Sequence, residues 1–458
     1  MLSWDKLLSP VRRKSKHENP ESMNTGAGRE EIERDYDRIL FAAPTRRLAD
    51  KTQVFPLEKN DSVRTRLTHS HEVSNLARSI GVRLAFEHAE DVFGEDHESL
   101  SVKRNIPSLL AAVGLAHDLG NPPFGHQGEE AIKQWFDEQN ERIFNGNCHD
   151  DFRKFDGNAQ TIRLLTRLQI LTDEYGLNLT CGTLAGLIKY PSFWNSEKNH
   201  FKKFGIFDSE RSIIADVWEE TGLSEGVRHP LVYVMEACDD IAYSVIDAED
   251  TVKKGYASFY DLVDYLDHHS NGDETIKTVV DTARGKNKDF KNVDLSSGEL
   301  NDLSMQMFRV KAISEMVSTV TDIFVQNVDK MMDESINPDF ILIKASSSTK
   351  LRNTLKEFNY RHGFQNAAVL KLELEGNNYI KSTMDMLWRA INKSENDDPF
   401  AKYTYGRISE NYRRVYEASE KDIYAKCQLL CDSISGMTDS YLISLHDDLR
   451  RLCDGFRS

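Results

Sequence analysis

Cysteine is scarce in this sequence, with six in 458 residues and no Cys-x-x-Cys pair among them. That excludes a disulfide framework and a zinc ribbon, and it fits a reducing compartment. Long apolar runs are missing too. The longest, such as Ser108 to Ala116, fall far short of the roughly 18 residues that a membrane span needs. Residues 1–20 carry basic side chains with no apolar stretch behind them, so no secretory signal is read there. Positive charge is in deficit, at 58 Lys+Arg against 74 Asp+Glu, for a net charge of -16. This argues against a protein that coats nucleic acid, because phosphate affinity comes largely from Lys and Arg. A local basic pocket or a metal inside an acidic shell stays compatible with it. The expectation is a soluble cytoplasmic protein.

Proline and strict alternation are the remaining absences. None of the 11 prolines lies between Pro230 and Pro338, and only Pro399 follows. Apolar residues recur at helical steps: Ile162, Leu165, Leu168 and Leu171; Leu231, Val234, Met235 and Cys238; Ile423, Cys427, Leu430, Cys431 and Ile434. No run alternates with Asn-Gly or Asp-Gly turns. An all-α fold follows, with helices expected at about 66–90, where Val73, Leu76, Ala77, Ile80 and Leu84 form a stripe, at about 107–118, and from Gly125 onward. The Gly120-Asn121-Pro122-Pro123 cluster breaks the second from the third. Loops are expected near 145–158, 285–298 and 392–399. Residues 1–28 read as a flexible tail, 29–270 as the core, and 271–458 as a helical C-terminal extension.

The densest concentration of metal-ligand chemistry is His69, His117-Asp118 and Asp239-Asp240. Imidazole and carboxylate together suit Mn, Mg, Fe or similar divalent ions. On a helix His117 and Asp118 project about 100 degrees apart, so neighbouring helices must supply the other ligands.

The surroundings of these residues carry a family likeness. The segments Arg64 to Val73 and Ala116 to Glu129, with Arg34 to Phe41, Arg46 to Pro56, Lys189-Tyr190-Pro191, Glu236 to Asp247 and Cys431 to Tyr441, resemble the HD-domain deoxynucleoside triphosphate triphosphohydrolases, the dGTPase-like family. The resemblance spans roughly residues 30 to 445. It implies an HD-domain helical fold and metal ligands His69, His117, Asp118 and Asp239, the first acid of the Asp-x-Ile-Ala-Tyr segment being preferred over Asp240. It implies His126 with Glu129 as the catalytic pair, the imidazole protonating the leaving O5′ atom. Arg66, Lys189 and Tyr190 are implied as triphosphate contacts, and Gln53, Tyr243 and Asp247 as readers of the sugar.

The activity so implied is metal-dependent hydrolysis of a deoxynucleoside triphosphate, dGTP foremost, to deoxynucleoside and tripolyphosphate. Two alternatives stay open: another HD phosphohydrolase acting on a nucleoside monophosphate or alarmone, and a nucleotide- or single-stranded-DNA-responsive regulator that keeps the fold. The family assembles as dimers or hexamers, so a homo-oligomer is expected. Single-stranded DNA is a candidate effector at Arg12, Arg13, Lys14 and Lys16. His71 departs from the family pattern and falls about 200 degrees around the helix from His69, away from the metal. Cys427 and Cys431 read as buried helix-face thiols. Ser409 to Arg414 reads equally as a nucleotide contact and as a solvated helix face.

Overall fold

Among the residues described by the computed structural model, 1–18, 28–58, 60, 62–169, 173–393 and 398–453, there is no β-strand. An isolated antiparallel bridge joins Arg12 to Thr180. The helices that matter here are α1 (Trp4–Leu7), α2 (Arg13–His17), α3 (Glu31–Leu40), α4 (Arg66–Glu87), α5 (Val102–Ala116), α6 (Gly125–Ile143), α7 (Gly157–Thr166) and α8 (Pro230–Lys253). They are followed by α9 (Ser297–Met332), α10 (Thr349–Phe358), α11 (Ala367–Lys393), α12 (Ile423–Ser435) and α13 (Asp439–Cys453).

Local chemistry sets the start of each helix that carries the site. Thr65 and Thr68 exchange capping bonds at the head of α4, which satisfies two of its orphan amides. His229 caps α8 by accepting from the Leu231 amide at 3.1 Å, and Pro230 occupies the first helical position, where its missing N–H costs nothing. Helices α4 and α5 pack closely because Gly114 has no side chain. A Cβ there would lie 2.7 Å from Ser74 Cα, and the same approach lets Ser74 Oγ donate to Ala111 O at 2.8 Å. Helix α8 crosses both and is buried along most of its length.

The C-terminal helices pack onto this trio. Helices α9 and α10 lie against α8, and α11 lies against α6, where Trp135 Nε1 donates to Asp385 at 2.8 Å. Helix α12 is fastened by Arg163 of α7, whose buried guanidinium bonds Asp432 and Glu210 at 2.8 Å each. The five cysteines other than exposed Cys453 are buried and all six are free, Cys427 and Cys431 included. No described helix is long and apolar enough to cross a membrane.

Four expectations need correcting. Residues 1–18 are not a tail: Leu2, Trp4, Leu7 and Leu8 are buried in the main core, and Trp4 Nε1 donates to Val92 O at 2.8 Å. The anchors sit at i, i+3 and i+4, a short helical stripe that the polar composition around it hides. The basic cluster is consumed internally: Arg12 pairs with Glu31 and Asp35, Arg13 with Asp216, Lys14 with Asp173 and Lys16 with Glu219. Those cations are therefore not a free strip for a DNA strand. Helix α5 begins a turn before Pro107 because buried Val102 and Ile106 anchor it. The 285–298 stretch is mostly helical, since buried Val279, Val280 and Ala283 hold the helix Glu274–Phe290 through Gly285. Leu171 and residues 394–397 of the expected 392–399 loop lie outside the described residues.

Trp4→Ala should destabilise the protein by about 3 kcal/mol, as expected for a buried aromatic anchor. The check is the midpoint of urea unfolding, which a mobile tail would leave unmoved.

Candidate metal and active site

His69, His117 and Asp239 come together from α4, the end of α5 and the middle of α8, with their ligand atoms all within 4.8 Å of one another. Asp239 Oδ1 lies 3.3 Å from His69 Nε2 and 3.6 Å from His117 Nε2. His117 Nδ1 is 2.7 Å from Gly114 O. A backbone carbonyl can only accept, so Nδ1 carries the proton and the lone pair of Nε2 faces the cluster. That Nε2 is buried without a hydrogen-bond partner. A buried unpaired acceptor costs free energy, and a divalent ion would satisfy it, so the residues present fit a metal.

Asp118 stands beside the three, its Oδ1 3.5 Å from His117 Nε2. It is held from two sides, by Asn121 Nδ2 on Oδ1 at 2.8 Å and by a short bond from Arg66 Nη1 on Oδ2. Asp240 points elsewhere, bonded by Arg352 at 2.7 Å and Lys356 at 3.1 Å. His71 is exposed on the far side of α4.

The cluster is electrostatically set for a cation. Burial alone would push Asp118 up, but His117 and Arg66 outweigh it and hold its carboxyl at about 2. Asp239 is likewise carried well below the usual range, against its burial, by the His117 and His69 imidazoles that face it. Burial works to lower His117, yet the two carboxylates raise it to about 9.

After Asp118 the chain turns sharply. Phe124 and Gly125 adopt left-handed φ values of 61° and 56°, and the Phe124 amide is caught by Asp439 Oδ1 at 3.1 Å. The turn starts α6 with His126 facing solvent, its side chain 81% exposed, over buried Glu129. Their Nδ1 and Oε2 atoms are 3.4 Å apart. The hydrogen bond to Glu129 raises His126 above its ordinary value. Glu129 is lowered despite burial, by His126 and by Lys203 nearby.

The other expected residues surround these two groups. Tyr243 and Asp247 follow Asp239 at i+4 and i+8, on one face of α8. Asp247 Oδ2 and Gln53 Oε1 are both buried without a partner, and burial beside Asp250 lifts Asp247 well above the carboxylate range. Lys189 lies 3.6 Å from Glu236 Oε1 and over the Tyr190 ring. Arg66 is less free than a phosphate contact would be, since Nε and Nη2 are spent on Thr52 O at 3.1 and 2.8 Å. In the Ser409–Arg414 stretch Tyr412 points inward to Arg47, while Arg413 and Arg414 bond Ile408 O and Glu410.

Several residues that the sequence did not single out join the site. Lys203 pairs with Asp156 at 2.9 Å beside Glu129. Arg228, stacked over Phe201, Tyr190 and Tyr233, shares Glu236 with Lys189. From the C-terminal part, Lys356 lies over Tyr243 at 4.8 Å and Phe364 packs on the same ring. The one signal for Lys203 was the Phe201-Lys202-Lys203-Phe204 alternation of aromatic and basic residues; Arg228 had none.

A helical scaffold that gathers two imidazoles and aspartates from three helices, with a His/Glu pair one turn away, defines an HD-type phosphohydrolase. Comparison with known proteins agrees: residues 66–167 match the HD domain family and 343–448 the phosphohydrolase-associated domain family. A deoxyguanosinetriphosphate triphosphohydrolase-like protein of Listeria monocytogenes is 33% identical over 98% of this chain and 100% of its own length. One from Synechocystis is 31% identical over 98% and 99%, and the deoxyguanosinetriphosphate triphosphohydrolase of Salmonella typhimurium is 31% identical over 92% and 93%. The chain belongs to the deoxyguanosinetriphosphate triphosphohydrolase-like family.

Proposed function

We propose that the chain hydrolyses deoxynucleoside triphosphates, dGTP foremost, to the deoxynucleoside and inorganic tripolyphosphate, with water attacking the α-phosphorus. The observation that carries this reading is the placing of the His69–His117–Asp239 cluster and the His126/Glu129 pair on either side of one turn. The names of the relatives support the substrate. A divalent ion such as Mn, Mg or Fe, held by His69, His117 and Asp239 with Asp118, would polarise a phosphoryl oxygen and lower the pKa of a bound water.

The side chains do the rest. His126, whose protonated form Glu129 favours, delivers a proton to the departing O5′ atom. Lys189 and Tyr190 meet the phosphates, and Arg66 orients Asp118 first and lends its remaining N–H groups to the phosphates. Asp247, whose carboxyl burial lifts well above the usual carboxylate range, and Gln53 Oε1, both buried without a partner, bond the 3′ hydroxyl. Tyr243 walls the sugar. Residues 29–270 supply the chemistry in this reading, and 271–458 close the pocket through Lys356 and Phe364 and provide the contacts of a homo-oligomer.

The test is to incubate the protein with Mn and each dNTP and NTP and identify the inorganic product. Tripolyphosphate from dNTPs, dGTP above the others, is expected. Pyrophosphate or orthophosphate as the sole product would refute the cleavage position.

A further inference from the structure

One backbone position touches both halves of the site. Gly157, the first residue of α7, donates its N–H to Glu129 Oε1 at 2.8 Å, and the other oxygen of that carboxylate faces His126. The bare Cα also leaves room for the Asn121 amide, since a Cβ at 157 would lie 2.1 Å from Asn121 Oδ1 and 2.8 Å from Glu129 Oε1. The same amide donates through Nδ2 to Asp118. Glu129 and Asn121 are 4% and 9% exposed, so neither can swing into solvent to make space. A second contact fixes the joint: Thr161 Oγ1 accepts from Gly120 N–H at 2.9 Å and donates to Gly157 O at 3.0 Å. Close approach, not backbone conformation, is what demands glycine here, because 157 is not among the residues with positive φ.

We infer that Gly157 is a positioning residue that couples the His126/Glu129 pair to Asp118, holding the proton donor and the metal-binding carboxylate at a fixed separation. The inference rests on the proposed roles of those residues, but one of its readouts does not. Any side chain at 157 must displace the Asn121 amide, which loosens Asp118, and press on Glu129 Oε1, which disturbs the carboxylate behind His126. The first loss is read in metal affinity and the second in proton delivery.

The experiment uses full-length Gly157→Ala, with Mn affinity measured by titration calorimetry and turnover measured at saturating Mn. Two substrates are compared: dGTP, and bis(p-nitrophenyl) phosphate, whose leaving group departs without a proton. The Mn dissociation constant should rise about tenfold or more, the usual effect of losing a partner behind a ligand. For dGTP kcat should fall about 100-fold, the lower bound for a lost general acid, while the aryl diester keeps its rate to within about threefold.

Unchanged Mn affinity, or equal losses on both substrates, would overturn the inference. If Gly157→Ala does not fold, the Gly157→Ala/Asn121→Ala double variant replaces it, since it removes the 2.1 Å clash and leaves only the 2.8 Å approach to Glu129 Oε1. Its Mn affinity should equal that of Asn121→Ala alone, and a further additive loss would count against a shared contact. Should the parent release no tripolyphosphate from dGTP, the functional reading fails on its own, and the Mn arm still tests the contact.

Discussion

Replacing His117 with Ala should lower turnover about 1,000-fold or more, because the phosphoryl charge loses several kcal/mol of stabilisation when the ion is lost. A binding readout separates this from general damage. At Mn concentrations about 100 times the dissociation constant, the parent should gain about 2.7 kcal/mol of unfolding free energy. His117→Ala should gain almost none. The reason is geometric: the bond between His117 Nδ1 and Gly114 O already turns Nε2 toward the cluster, so the ring need only give up its Nε2 proton to bind the ion and need not be reoriented.

The metal-free parent also has a signature in pH. Burial lowers His117, but Asp118 and Asp239 carry it to about 9 from an ordinary 6.5. A pKa raised on folding contributes stability that is fully present below about 6.5 and is lost as pH climbs through about 9. Mn should remove that slope, since coordination requires the neutral imidazole. A metal-free protein whose melting temperature is flat between those pH values, or a His117→Ala variant that Mn stabilises as much as the parent, would contradict the assignment.

The parts of the molecule that were legible in the sequence are those whose partners lie within a turn or two. Helix α4 announces itself because it buries one apolar stripe, and the 3.6-residue period records it, while α5 and α8 are buried on nearly every face and show instead as proline-poor apolar stretches. His69, His117, Asp118 and Asp239 were findable because the surrounding segments carry a family likeness; alone, a His-Asp pair says little. Asp239 and Asp240 are adjacent and chemically identical, and what separates them is Arg352 and Lys356 arriving from α10 to occupy the second.

The failures have the same origin. Residues 1–18 look like a tail because the acids that neutralise their cations stand at positions 31, 35, 173, 216 and 219, which no local window includes. Gly157 looks like an ordinary loop glycine until Asn121 and Glu129 are seen on both sides of it. Lys203 and Arg228 join the site through Asp156 and Glu236, and tertiary contacts of that kind leave no period in the chain.

His126→Ala is the second large expected effect. Loss of the acid should cost dGTP hydrolysis about 100- to 10,000-fold in kcat, with little change in KM, because the proton moves only in the transition state. Unchanged turnover would remove His126 from the mechanism. The pH dependence tests the role of Glu129 separately. The hydrogen bond that His126 donates to Glu129 holds the imidazole above its ordinary value, while burial, Arg66 and Lys203 oppose it. An acid must be protonated to act, so kcat should be level at lower pH and fall as pH rises through the raised value. Glu129→Gln keeps the shape but removes the negative charge, so this limb should move to lower pH. His126→Ala should lose the limb entirely. If Glu129→Gln slowed the enzyme by the same factor at every pH, the carboxylate would be holding the ring in place without tuning its proton.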